Sequence, residues 1–221
     1  PFTSESTSRN PRGLTHTTNS GYTKNDRLVI FMTTTLTKGE RTKQRIVEQV
    51  APLFNAQGYF GTSLSDVLEV TGLPKGTIYR YFESKDELAL AAFDFAYARL
   101  RERFAKAIRE NKNTVKRLLA IITEYSNLLE DPYLYGGCPI FNTAVEGDDA
   151  HPVLLQRARE AMDEWRKMIH ITIRNGKKRK EMKQVNEDEV ASVLISSIEG
   201  AIVMAKLYND KKHIRRTVEH L

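Results

Sequence analysis

Cysteine is almost missing from this chain. Its 221 residues hold one, Cys138, so no intrachain disulfide can form. That fits a reducing compartment. Long apolar runs are missing too. The best candidate, residues 193–207, is interrupted by Ser196, Ser197, Glu199, Gly200 and Lys206. A bilayer span needs about 20 consecutive apolar residues, so no membrane partner is expected. The N-terminus is polar and lacks the layout of a secretory signal, and the expected location is cytoplasmic. The five histidines (His16, His151, His170, His213 and His220) share no metal-ligand spacing with one another or with Cys138. No glycine-rich phosphate cradle and no nucleophile elbow is present. These absences argue against an enzyme and predict neither metal nor cofactor. No stretch alternates with period two for long enough to argue a sheet.

What is present is helical period and charge. The composition, 40% hydrophobic and 28% charged, suits a globular protein. The formal charge of +6 permits a polyanionic partner such as nucleic acid without establishing one. Much of the excess lies in the run RNGKKRK, residues 174–180, which reads as a solvated loop. Residues 1–36 are rich in Ser, Thr and Asn and show no hydrophobic period, so they read as a disordered leader. Met32 offers a translation start inside it. The alternative for Arg9, Arg12, Lys24 and Arg27 is a basic arm reaching a DNA minor groove.

From residue 37 the fold class is all-α. Capping-box spacings recur at Thr37/Glu40, Ser63/Asp66 and Ser84/Glu87. Asn113 and Asn186 cap further helices, and His151–Pro152 opens a long one. Gly58 is predicted to end the first helix, and Asn175–Gly176 to end the helix that begins at Pro152.

The segment SLSDVLEVTGLPKGTIYRYFESKDEL, residues 63–88, breaks and restarts a helix within four residues. Gly72 can take the left-handed conformation that closes a helix. Pro74 stands where a new helix begins and a lost N–H costs nothing. The second helix, residues 75–81, is too short to persist alone, so Ile78 and Phe82 must bury it. Its other side then exposes Lys75, Gly76, Thr77, Tyr79, Arg80 and Tyr81. That is a set of donors and close-approach positions suited to phosphates and base edges. Two helices joined in this way form a helix-turn-helix.

Residues 39–95, and above all GYFGTSLSDVLEVTGLPKGTIYRYFESKDEL, resemble the DNA-binding motif of the TetR/AcrR family of bacterial transcriptional regulators. The resemblance implies an N-terminal three-helix helix-turn-helix domain, residues 37–84. A helical effector-binding and dimerisation domain, residues 85–221, would follow. It implies a homodimeric repressor released from a palindromic double-stranded DNA operator by a small-molecule effector of unidentified structure. It also carries over contacts: Lys75, Gly76, Thr77 and Tyr79 to recognition, Tyr81 and Lys85 to phosphate, and Ser63 and Ser65 near the backbone. Ser65 stands where the family often has Arg, and Arg80 where it varies. A ligand-independent DNA-binding protein is the alternative.

Phe93, Tyr97, Phe104, Tyr125, Phe141, Met162 and Trp165 are the expected pocket residues. Val193, Ser197, Gly200, Ala201, Met204 and Tyr208 run down one side of the helix that Asn186 caps. Small residues there let a partner helix approach, and the family resemblance implies a four-helix dimer interface. Pro139 at a first helical turn would place Cys138 at the N-cap. There the helix dipole favours a thiolate, and Gly136 and Gly137 would leave it open. The placement is similar to a branch of the family that senses electrophiles and oxidants, which gives a covalent trigger as a second alternative.

Overall fold

A computed structural model of the protein describes residues 36–146 and 151–221. The leader and its proposed basic arm, residues 1–35, lie outside the described residues. Among the described residues there are nine α-helices and no strand: α1 (Lys38–Gly61), α2 (Leu64–Thr71), α3 (Lys75–Tyr81), α4 (Lys85–Glu110), α5 (Thr114–Ser126), α6 (Pro139–Glu146), α7 (Pro152–Lys178), α8 (Glu187–Tyr208) and α9 (Lys212–His220).

All but one of the expected caps form in full. Thr37 and Ser63 each close a full capping box, with Glu40 and with Asp66. Ser84 accepts from the backbone of Glu87, but the Glu87 carboxylate turns back to the N–H of Glu83 instead. Asn113 and Asn186 cap α5 and α8 through their side-chain oxygens. His151 caps α7 by accepting the Leu154 N–H on Nδ1. The first helix breaks at Gly58, as its glycine predicts, with φ of 78°, and one more turn follows.

Two hydrophobic cores result. The first joins Ile46, Val47, Val50 and Ala51 of α1 to Val67, Ile78, Phe82, Leu88 and Ala92. Full burial of one such large side chain contributes about 1.5–3 kcal/mol, so Ile78 and Phe82 anchor the seven residues of α3. The second core is larger and draws on α4 through α9. Helix α4 serves both. Leu88 and Ala92 face the first core, while Ala89, Phe93, Ala96, Leu100 and Phe104 face the second.

Two sequence expectations fail here. Helix α7 does not stop at Gly176 but runs on to Lys178. Gly176 is buried, and a Cβ there would come within 2.5–2.8 Å of the Thr114 side chain. The glycine serves close packing of α7 on the start of α5. The basic run is accordingly no free loop. Lys177 bonds the Val185 carbonyl and Glu187, and Arg179 bonds Thr114 and Glu181.

Candidate functional site

The turn between α2 and α3 follows from its residues. Gly72 takes φ 63°, ψ 19° and donates its N–H to the Leu68 carbonyl. Thr71 Oγ1 bonds the Val67 carbonyl at 2.7 Å. Leu73 packs into the first core and fixes the corner. The Pro74 carbonyl accepts from Thr77 at 2.8 Å, which starts α3.

Helix α3 turns Ile78 inward and presents Lys75, Gly76, Tyr79 and Arg80 to solvent. A Cβ at Gly76 would meet nothing within 4 Å, so backbone can be approached closely there. Thr77 is half-buried beside them. Tyr81 is also half-buried and packs on the first core, with only part of its ring outward. Lys85 begins α4, its Nζ 4.3 Å from the centre of the Tyr59 ring. Ser65 is exposed, and the hydroxyl of Ser63 is engaged in capping α2. The nine residues lie along α2, α3 and the first residue of α4. The cationic and hydroxyl groups among them suit phosphate oxygens and base edges.

Behind this surface the carboxylate of Glu146, at the end of α6, accepts the N–H groups of Tyr59 and Phe60 at 2.7 and 2.8 Å. Asn142 donates to the carbonyls of Asn55 and Gly136. Asn55 donates to those of Tyr135 and Gly137. The Tyr59 hydroxyl donates to Asp86, which raises the phenol to about 12. His151 Nε2 lies 3.5 Å from the same carboxylate. The crevice enclosed by α1, α4, α6 and the start of α7 holds about 40 Å³, which is room for water and not for an effector.

A larger cavity of about 220 Å³ lies between α4, α6 and α7. Its walls are Tyr97, Arg101, Phe104, Ile140, Glu164, Trp165 and Met168. An open groove of about 230 Å³ adjoins it and shares Tyr97, Arg101 and Glu164. The groove adds Phe93, Asp94, Ala98, Arg157, Glu160 and Ala161. Burial, and then a hydrogen bond to Glu164, pushes the Tyr97 phenol upward. Of the expected pocket residues, Phe93, Tyr97, Phe104 and Trp165 reach these walls. Tyr125 does not, because it is wholly buried against Cys138 and Glu199. Phe141 and Met162 pack on the core instead. The sequence reading missed Arg101, Ile140, Glu164 and Met168; the i+3 or i+4 spacing of Arg101 to Tyr97 and Phe104 and of Met168 to Trp165 is the signal that could have found two of them.

Cys138 corrects an expectation. It does stand at the start of α6, its carbonyl accepting the Asn142 N–H, but its residue surface is only 1% exposed. Its sulfur lies 3.3 Å from the Tyr125 hydroxyl, which donates to Glu199 at 3.1 Å. Burial, with the Glu199 carboxylate nearby, pushes the thiol well above its usual range and outweighs the α6 N–H that favours the thiolate. The flanking glycines do not open it, because Gly137 packs against Ile202 and Lys206 of α8. Burial likewise raises Glu199 to about 7.

On α8 the exposed stripe is Val193, Gly200, Val203, Met204, Leu207 and Tyr208. Ser197 is half-buried at its border. Ala201 faces the chain's own core and is corrected out of the partner-facing set. Helix α8 is, by length and composition alone, long and apolar enough to cross a membrane. Its apolar content divides between a core face and this outer stripe.

Residues 46–92 match the family described as bacterial regulatory proteins, tetR family. Residues 114–221 match the tetracyclin repressor-like C-terminal domain. An uncharacterized HTH-type transcriptional regulator of Mycobacterium tuberculosis is 30% identical over 176 residues, 76% of this chain and 86% of that protein. The HTH-type transcriptional repressor NemR of Escherichia coli is 23% identical, covering 81% of this chain and 92% of its own. A crystal structure of a TetR transcriptional regulator from Chloroflexus aurantiacus is 43% identical. It covers 83% of this chain and 93% of that one, with a TM-score of 0.79.

Proposed function

The chain belongs to the TetR family of DNA-binding transcriptional regulators, and from that premise we propose that it is a homodimeric repressor released from a palindromic operator by a small-molecule effector. Residues 37–84 read DNA and residues 85–221 sense and dimerise, with the first turns of α4 serving both. Lys75, Gly76, Thr77, Tyr79 and Arg80 meet the major groove. Ser63, Ser65, Tyr81 and Lys85 meet phosphates. The protein acts in the cytoplasm, where its operator is.

The observation that carries this reading is the continuity of α4. One helix bears Lys85 beside the recognition helix and Tyr97, Arg101 and Phe104 on the cavity wall. A ligand shifts such an equilibrium only through its different affinity for two states, and a continuous helix joining cavity to DNA surface couples a shift at one end to the other. The dimer reading rests on the exposed apolar stripe of α8 and on the size of α3. One seven-residue helix per chain is too small to specify an operator, and two copies meet faces about 34–36 Å apart. A covalent trigger at Cys138 is not adopted, because the thiol is buried.

Selection of bound sequences from random DNA, with and without a metabolite pool, tests the proposal. Recovery of an inverted repeat whose binding the pool weakens is the expected result. Half-sites bound by a monomer, or binding that no metabolite changes, would favour the ligand-independent alternative.

A further inference from the structure

We propose that Tyr59 is the positioning residue for the phosphate contact of Lys85: its ring face steers the ammonium, and its hydroxyl holds the neighbouring Asp86 carboxylate away from it. This rests on the reading of Lys85 as a phosphate contact and names what keeps that lysine available.

The ring is held at several points. The break at Gly58 turns the chain so that the N–H groups of Tyr59 and Phe60 both reach Glu146. A side chain at Gly58 would strike that carboxylate. The Tyr59 ring meets Phe60 edge-on at 5.1 Å and His151 at 4.7 Å, and its hydroxyl donates to Asp86. Lys85 Nζ lies 4.3 Å from the ring centre, inside the roughly 6 Å at which a ring attracts a cation.

Charge decides what this contact is for. Lys43 also sits over a ring, 4.8 Å from the centre of Phe82, but Glu87 binds it at 3.2 Å. Lys85 forms no ion pair among the described residues. A carboxylate would cancel its charge, whereas a ring attracts the ammonium and leaves the charge for a phosphate. Two carboxylates stand close enough to compete. Asp66, held low mainly by its bonds to Ser63 and in small part by Lys85, accepts the Ser63 N–H at 2.7 Å in the α2 capping box. Asp86 follows Lys85 in the chain and reaches the same tyrosine. The bond from the Tyr59 hydroxyl keeps its carboxylate beyond ion-pair distance, with His151 Nε2 3.5 Å from its other oxygen. A lysine already ordered also has less freedom to lose when it meets a phosphate.

The test uses the full-length protein and a fluorescein-labelled DNA duplex of arbitrary sequence, because sequence-independent binding comes from phosphate contacts. Anisotropy titrations run at salt concentrations between about 50 and 200 mM. Lys85→Ala should weaken binding and flatten the salt slope by about 0.9 per chain. Tyr59→Leu should weaken binding about two- to fivefold per chain, the factor that one exposed cation–ring contact makes. In the Lys85→Ala background it should have no effect. A residue that only supported the fold would cost the same in both. Tyr59→Phe keeps the ring and releases Asp86, so it should weaken binding in the parent and not in the Asp86→Asn background. If Tyr59→Leu fails to fold, the Tyr59→Phe comparison decides alone. Equal losses from Tyr59→Leu with and without Lys85, or no loss in the parent, would overturn the proposal. So would a Tyr59→Phe effect that persists in Asp86→Asn or is missing from the parent. If Lys85→Ala changes neither affinity nor slope, the phosphate reading of Lys85 fails and the proposal falls with it.

Discussion

The carboxylate of Glu146 holds the backbone N–H of Tyr59 at 2.7 Å, bridging the end of α6 to the break in α1. It holds Phe60 in the same way. Ile140, on the same short helix, lines the cavity between α4, α6 and α7. Helix α6 thus touches both that cavity and the helix that backs the helix-turn-helix. Glu146→Ala should leave the partly buried Tyr59 N–H without its partner, at a cost of about 1–3 kcal/mol if it stays dry, and free the exposed Phe60 N–H to water. Hydrogen exchange at the Tyr59 and Phe60 amides should accelerate. Unchanged protection at both would mean that water replaces the carboxylate at no cost.

On the DNA side, Lys85→Ala should weaken binding to all sequences and flatten the salt dependence by about one phosphate contact. Lys75→Ala and Thr77→Ala should alter base preference instead, by about 1–3 kcal/mol per well-formed base contact. Binding titrations at several salt concentrations, on the operator and on base-substituted variants, separate the two. A change of base preference in Lys85→Ala with an unaltered salt slope would reverse the assignment.

Leu207 is 73% exposed in the single chain, on the outer stripe of α8. Leu207→Glu should leave the monomer's stability within about 0.5 kcal/mol, as surface changes do. It should also shift the protein to monomers in sedimentation velocity and weaken operator binding. Ala201→Glu should instead unfold the chain, because that side chain points into the core. A dimer that survives Leu207→Glu would place the interface elsewhere.

Glu199 gives a pH dependence whose sign can be worked out. Its folded value is raised from 4.5 to about 7, so the folded chain holds a proton that the unfolded chain releases. The contribution of this group to stability falls as pH rises from about 4.5 through 7 and is level above that. The full loss is about 3 kcal/mol. Glu199→Gln keeps an acceptor for Tyr125 and cannot ionise. Its stability relative to the parent, from denaturant unfolding at a series of pH values, should climb across that window. A difference independent of pH would show that Glu199 is ionised, or paired, in the folded chain.

Gly176→Ala should destabilise the protein even though alanine favours helix by about 1 kcal/mol over glycine. The added methyl must displace Thr114, and such overpacking costs about 1–3 kcal/mol. Urea midpoints decide the sign, and a more stable variant would mean that Thr114 yields freely.

The same glycine shows why some of the fold was legible in the sequence and some was not. Most caps, the Gly72–Pro74 corner and the exposed Lys75, Gly76, Tyr79 and Arg80 of α3 are set by residues within a few positions of one another and were legible, while Thr77 and Tyr81, expected on the same face, are half-buried. Gly176 looked like a helix stop because its reason, Thr114, lies on another helix. Cys138 looked open because nothing local announces that α8 covers it. Glu199 looked like a mere interruption of an apolar run. Its partners Tyr125 and Cys138 are far away in the chain, and only the packed bundle joins them. Four of the seven expected pocket residues reach a wall, since aromatic spacing marks an inward face without saying whether that face meets a core or a void.

Helix α4 bears on how regulators of this kind can be recombined. A chimera joined at residue 84 would give the borrowed DNA-reading segment the recipient's α4. The donor's own Leu88 and Ala92, which complete the core under α3, would be left behind. A cut further along α4 keeps that core intact but imports residues that face the second core, such as Ala89 and Phe93. The DNA-binding segment and the helical C-terminal segment are therefore not freely exchangeable cassettes. Any graft must rematch one helix to two neighbours, and the alternation of Leu88, Ala89, Ala92 and Phe93 shows which positions answer to which.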